Sequence, residues 1–200
     1  MKTIDVRFDS KMIDLLNSMV GKAFEKYKCD LFLYSGRSYR LVGLFVDGLV
    51  YKIVNEIEVQ DYFGTPEDVA IFKLQPALDS EIQSPFVDGK MIEIPVQSTI
   101  VQIRVVDEHQ ELYYNGEQTY DVWLTRGIIF DLKDGREISF EKSVWFSETI
   151  ETNRGYNLLE SYSPIEEFTE DWDENEGYVG KCTREIRAIC ENGIIIDTNR

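Results

Sequence analysis

Apolar and polar residues alternate with a period of two along much of this chain, which restricts those segments to strands with one buried face. Ile92, Ile94 and Val96 alternate with polar neighbours, as do Tyr120, Val122 and Leu124, then Ile128, Phe130 and Leu132. Pro95 lies inside the first of these runs and predicts an edge strand or a strand end, because proline has no N–H for a ladder. Residues 31–34, 40–46 and 69–74, with Leu49–Ile57 and Ile100–Val106, are rich in Leu, Val, Ile, Phe and Tyr and read as further strands.

The turns between runs can be tested against register, since a one-residue slip moves every apolar side chain to the wrong face. At Asp47-Gly48 a two-residue loop pairs Val46 with Leu49 and Leu44 with Tyr51, so apolar residues match. At Asp134-Gly135 the same loop would set Phe130 against Ser139 and Asp131 against Ile138. A three-residue loop, Lys133-Asp134-Gly135, instead pairs Phe130 with Ile138 and Ile128 with Phe140. That predicts a type I turn followed by a G1 bulge, with Gly135 in the left-handed region.

One segment follows a different period. Ile13, Leu16, Val20, Phe24 and Tyr27 recur at three- and four-residue steps, predicting an amphipathic helix over residues 10–28. Asp9 or Ser10 caps its start, Lys26 and Lys28 suit its last turn, and Gly21 weakens its middle. Residues 61–68, with Gly64 and Pro66, read as a loop, as do 151–155 and Ser163-Pro164. Lys181–Cys190 is ambiguous between strand and helix, and Gly193–Ile196 reads as a short final strand. Gln75–Pro85 is the best linker candidate. The expectation is an α+β fold, mainly antiparallel β, with the N-terminal helix packed on a hairpin-rich sheet. It forms one domain over 1–200, with sub-lobes at 1–75 and 86–200.

Catalytic signatures are sparse. The chain contains no Gly-x-Ser-x-Gly elbow, no phosphate-binding Gly-x-x-x-x-Gly-Lys-Ser/Thr and no Gly-x-Gly-x-x-Gly. Its single histidine, His109, falls in the polar stretch 106–111 and reads as a solvated turn residue rather than a general base. Cys29, Cys182 and Cys190 are an odd number without a close pair, which disfavours structural zinc and suggests reduced thiols. Ser35-Gly36-Arg37-Ser38 is a basic turn before a strand. Residues 171–177 place oxygen ligands at the first, third and fifth positions of a calcium loop. Glu176 and Cys182, however, stand where such a loop needs Gly and Glu, and the flanks do not read as helical. No metal and no cofactor is expected. The start carries no apolar leader and no run is long enough to span a bilayer, so the expected setting is the cytoplasm.

Charge is the one functional lead. The formal net charge is −16, from 37 acids against 21 bases. Such a field repels nucleic acid and anionic membranes and attracts basic surfaces. It is uneven: residues 1–100 carry 15 acids and 11 bases, and residues 101–200 carry 22 and 10. Within residues 137–176 twelve acids face only Lys142 and Arg154. Glu166, Glu167, Glu170, Asp171, Asp173, Glu174 and Glu176 form a run without a base, with Phe168 and Trp172 inside it. Ten charges occupy roughly 17 Å of duplex DNA, close to the radius of gyration of about 16–17 Å expected for a compact chain of this length.

In charge alone the chain resembles the acidic inhibitors that phages and mobile elements use against restriction or CRISPR nucleases. That likeness implies a non-enzymatic nucleic-acid mimic of anti-CRISPR type, bound to a basic nucleic-acid-binding protein. The partner-binding residues are then Glu166, Glu167, Glu170, Asp171, Trp172, Asp173, Glu174 and Glu176, with Trp145, Phe146 and Trp172 as aromatic anchors. Two other classes compete. A small carboxylate-dependent hydrolase would need a pocket lined by acids with displaced pKa values. A structural or assembly subunit would associate with itself through its helix or sheet edges.

Overall fold

The computed structural model describes residues 3–30, 36–62, 64–86, 90–142, 146–173, 176–191 and 193–197, and leaves the side chains of 62, 171–173 and 194–197 outside that description. It is mostly antiparallel sheet. In chain order the elements are β1 (Ile4–Val6), α1 (Ser10–Met19), β2 (Ala23–Cys29), β3 (Arg37–Tyr39), β4 (Leu41–Val46), β5 (Leu49–Tyr62) and β6 (Thr65–Pro76). There follow β7 (Ile92–Tyr114), β8 (Glu117–Leu132), β9 (Glu137–Lys142), β10 (Thr149–Gly155), α2 (Glu166–Asp173), β11 (Tyr178–Cys190) and β12 (Gly193–Asp197). Among the described residues no helix is long and apolar enough to cross a membrane.

The strands form one path, β3-β10-β9-β8-β7-β2-β4-β5-β6, with β1 added parallel to β8 and the β11–β12 hairpin added to β7. This path folds over on itself at two corners. The 23-residue β7 pairs with β2 through residues 92–99, then with β8 and β11 from residue 100 onward. Where it changes partners the β2 register shifts between Phe24 and Lys26, and Gln97 adopts φ 53°. The second corner is Arg40, φ 65°, which carries the chain from β3 beside β10 straight into β4 beside β2. Bends and bulges of this kind let one strand serve two packed sheets. Between the sheets lies the main core: Phe24, Tyr27, Val42, Leu44 and Ile53 from one side, and Ile103, Val105, Phe130, Ile138 and Phe140 from the other. Helix α1 closes one end with Ile13, Leu16 and Met19, and the Asp9 carboxylate accepts the Met12 N–H at 2.9 Å to cap it.

Both register assignments hold: Leu44 faces Tyr51, Val46 faces Leu49, Ile128 faces Phe140 and Phe130 faces Ile138. Gly135 adopts φ 85°, with the Gly135 N–H donating to Leu132 O. Pro95 lies where, among the described residues, β7 pairs with β2 alone, an edge position.

The expected helix over 10–28 is overturned beyond Val20. Gly21, at φ 80°, turns the chain out of α1, and Ala23–Cys29 is strand β2. Phe24 and Tyr27 remain three residues apart on one buried face because the β-bulge at Glu25 inserts an extra residue between them. Lys26 and Lys28 pair with Glu93 across the sheet rather than with a helix terminus.

Other expectations also give way. Most of residues 61–68 belong to the β5–β6 hairpin rather than a loop, and 151–155 lie in β10, paired with β9. Gln75–Pro85 holds the end of β6, a 3-10 turn at Asp79–Glu81, and Ile82, which is buried against Gly43. Residues 31–35 fall outside the described residues; of the basic turn, Arg37 lies in β3 and its guanidinium meets Glu151 at 2.9 Å. Lys181–Cys190 is strand throughout.

Candidate protein-interaction surface

Beyond the two-sheet core, β7, β8 and β11 continue as a three-stranded arm with β1 on its edge. One face of this arm bears Ile4, Leu112, Tyr120, Val122 and Leu124, too much apolar surface to leave in water. Helix α2 covers it. Phe168 supplies the contact, its ring centroid 6.1 Å from that of Tyr120. Phe168 and Trp172 are four residues apart and therefore on one helix face. Glu166, Glu167, Glu170 and Asp173 occupy the opposite side of the same helix by the same periodicity.

Glu166, Glu167, Glu170 and Glu176 are exposed. Among the described residues no Lys or Arg lies within ion-pair distance of any of the four. Asp171, Trp172 and Asp173 are placed on α2 by their backbone, but their side chains lie outside the described residues, as do Glu174 and Trp145 entirely. Phe146 is exposed and belongs to the segment before β10, not to α2. The calcium-loop stretch is preceded by this helix, contrary to the expectation of non-helical flanks.

Four other acids of the expected negative stripe over 137–176, and Glu108 outside it, behave differently, while Glu160 is exposed and has no ion pair among the described residues. Glu141 meets Arg126 at 3.0 Å, Glu148 meets Arg40 at 2.9 Å and Glu151 meets Arg37 at 2.9 Å. Glu137 meets Arg104 at 3.0 Å, and Glu108 meets Arg184 at 2.6 Å. Except at Arg37, which is exposed, the partners are partly or fully buried, and in each pair the carboxylate's charge is matched within the fold. Exposed acids without an ion pair among the described residues also occur elsewhere, at Glu56, Glu67, Asp68, Glu117 and Glu160, but α2 is where acidic residues stand closest together along the chain. Five of the eight residues of α2 are acidic and none is basic. At 1.5 Å per residue the helix spans about 12 Å, or one charge per ~2.4 Å. That density falls between a single strand, at ~3.4 Å per charge, and a duplex, at ~1.7 Å.

The best candidate for carboxylate chemistry lies elsewhere. Asp131 and Glu137 face each other across β8 and β9 beside a cleft of about 320 Å³ that Gln102, Arg104 and Arg136 also line. Burial pushes the Asp131 carboxyl up. Arg104, however, reaches Asp131 at 2.5 Å and Glu137 at 3.0 Å. The Arg104 guanidinium between the two carboxylates opposes the upward push of burial and of Glu137 on the Asp131 carboxyl, which works against a pair sharing one proton. Glu137 also accepts the Leu158 N–H at 2.6 Å, which fixes the segment leading to α2. This cluster is an ion triad that joins elements.

His109 is not in a turn. It sits inside β7, stacked on Trp123 with centroids 4.3 Å apart and planes 5° from parallel. Its Nε2 lies 2.8 Å from Asp121, which also accepts the Thr3 hydroxyl at 2.6 Å. Arg7, held by Asp5, reaches the same indole at 4.3 Å from the β1 side, so the stack clamps the N-terminal strand to the arm. Burial pushes the Cys29 and Cys182 thiols up to about 12, which suppresses the reactive thiolate.

Sequence reasoning missed the tip of the arm. Tyr114 and Tyr178 pair there across β7 and β11, next to the Asn115-Gly116 turn. Asn-Gly between two apolar runs is a strong hairpin signal and would have located it. No known protein family, no curated protein and no solved structure matches the chain.

Proposed function

We propose that this chain is a non-enzymatic, protein-binding inhibitor that lays α2 into the basic groove of a nucleic-acid-binding protein, as a nucleic-acid mimic of the phage or mobile-element anti-defence type. The observation that supports this is the contrast in charge matching. Glu108, Glu137, Glu141, Glu148 and Glu151 are each matched by an arginine, whereas Glu166, Glu167, Glu170 and Glu176 are exposed and, among the described residues, have no base within ion-pair distance. A rigid helix bearing charge at a spacing between those of single and double strands suits a groove built to contact phosphates. Sheet packing through Phe168 holds that helix in place before binding, which lowers the ordering cost of association. The setting of such an inhibitor is the cytoplasm of the cell whose nuclease it blocks.

The test is affinity capture of basic nucleic-acid-binding proteins on the immobilised chain. The expected result is retention at about 50 mM salt, release at about 500 mM salt, displacement by duplex or single-stranded DNA, and loss of retention in the triple variant Glu166→Lys, Glu167→Lys, Glu170→Lys. Retention indifferent to both salt and DNA competitor, or unchanged in the triple variant, would remove the mimic as an explanation.

A further inference from the structure

At the tip of the arm, Tyr114 ends β7 and Tyr178 begins β11, and the two face each other in register. They lie on the face that also carries Leu112 and Gly180, the face covered by α2. Their ring centroids are 4.7 Å apart with planes inclined by 39°. Tyr178 packs with Phe168 on one apolar cluster, so the pair and the acidic helix share a foundation. Asn115 N–H donates to Gly177 O at 2.8 Å and ties the β7–β8 turn to the entry of β11. Tyr114 remains 44% exposed. The exposed carboxylates of Glu117, opposite Tyr114 in the hairpin, and Glu176, two residues before Tyr178, flank the pair.

An exposed aromatic face flanked by carboxylates is a site for a guanidinium, which stacks on the ring while its N–H groups reach the acids. We propose that the Tyr114–Tyr178 pair anchors α2 on its basic partner, with the face of Tyr114 taking an arginine of that partner's groove. The proposal rests on the reading of α2 as the partner-binding helix and adds to it the residue that fixes register. In a groove made for nucleic acid, the α2 carboxylates then stand where phosphates would, and the tyrosine ring where a base would stack.

Titration of the intact chain with deca-arginine and deca-lysine peptides at low salt tests this, using Tyr114→Leu, which keeps apolar area but loses the π face, and Tyr114→Phe, which keeps both. Tyr114→Leu is expected to bind deca-arginine roughly two- to fivefold more weakly than wild type, with a smaller loss for deca-lysine, and Tyr114→Phe to bind like wild type. Unchanged binding in Tyr114→Leu, or equal losses in the Leu and Phe variants, would overturn the anchor while leaving α2 in its role, provided the Glu166→Lys, Glu167→Lys, Glu170→Lys variant still loses both peptides. Failure of wild type to bind either peptide would overturn the reading of α2 and the anchor together.

Discussion

Lys142 shows how a single residue can load the fold. It ends β9, is 2% exposed on the face turned toward the core, and its ammonium donates to the Ala70 carbonyl of β6. Burial, with a smaller contribution from Arg126, pulls its pKa from 10.5 down to about 7. Between those values the unfolded chain holds the proton and the folded one does not. Stability attributable to this group therefore rises with pH across roughly 7 to 10.5, and below pH 7 the fold bears the full cost, of order 5 kcal/mol. Lys142→Met removes the charge but leaves the Ala70 carbonyl without that donor, which costs about 1–3 kcal/mol. The variant is expected to be more stable than wild type by about 1–3 kcal/mol near pH 6.5, with the advantage shrinking or reversing near pH 9.5. Urea unfolding at the two pH values measures it; a pH-independent difference would place the amine's titration outside this window.

At the scale of elements, legibility followed the locality of the cause. The Asp47-Gly48 and Lys133–Gly135 turns were readable because a hairpin register is set by residues within a few positions of each other. The α1–β2 junction was not, because the bulge at Glu25 spaces Phe24 and Tyr27 like neighbours on a helix and is fixed only by pairing with other strands, β4 some twenty residues on and β7 some seventy. Gly21 was the available signal: in the left-handed conformation just past α1 it ends a helix rather than weakening one. Of the candidate site, the acidic run was plain in the sequence, whereas its separation from Glu141, Glu148 and Glu151 depended on arginines supplied by other strands. Strand β6 shows a further device invisible in one dimension. Its outward edge positions include Pro66 and Pro76, which have no N–H; Ala70, whose carbonyl takes Lys142; and Leu74, whose N–H meets the Met12 sulfur at 3.4 Å. Together with exposed Asp68, these block the pairing of a second strand. Asp68 faces Val59, itself 68% exposed. The double variant Pro66→Val, Asp68→Val is therefore expected to restore an open apolar edge and to sediment at a higher mass than wild type at equal concentration. An unchanged sedimentation profile would show that the edge is already closed without them.

For the whole molecule, a net charge of −16 has two consequences of opposite sign with respect to salt. Like charges concentrated on α2 repel one another and the rest of the acidic surface, which works against the compact state, and added salt screens that repulsion over a Debye length of about 10 Å at 0.1 M. The buried pairs, such as Asp107 with Arg187 at 2.5 Å, lie away from solvent and lose far less to screening. Raising the salt should thus stabilise the free chain while it weakens the association of α2 with a basic partner. For a chain of this size each kcal/mol of relieved repulsion corresponds to about 2–4 °C in melting temperature. The expected outcome is a rise of that order between low and about 0.5 M salt, accompanied by loss of partner binding over the same range. The triple α2 reversal should flatten both curves, because it removes the charge responsible for both. Calorimetry of the free chain and binding isotherms across one salt series make the comparison. A melting temperature that falls with salt in wild type would mean that attraction within ion pairs, rather than repulsion among unpaired acids such as those of α2, dominates the surface.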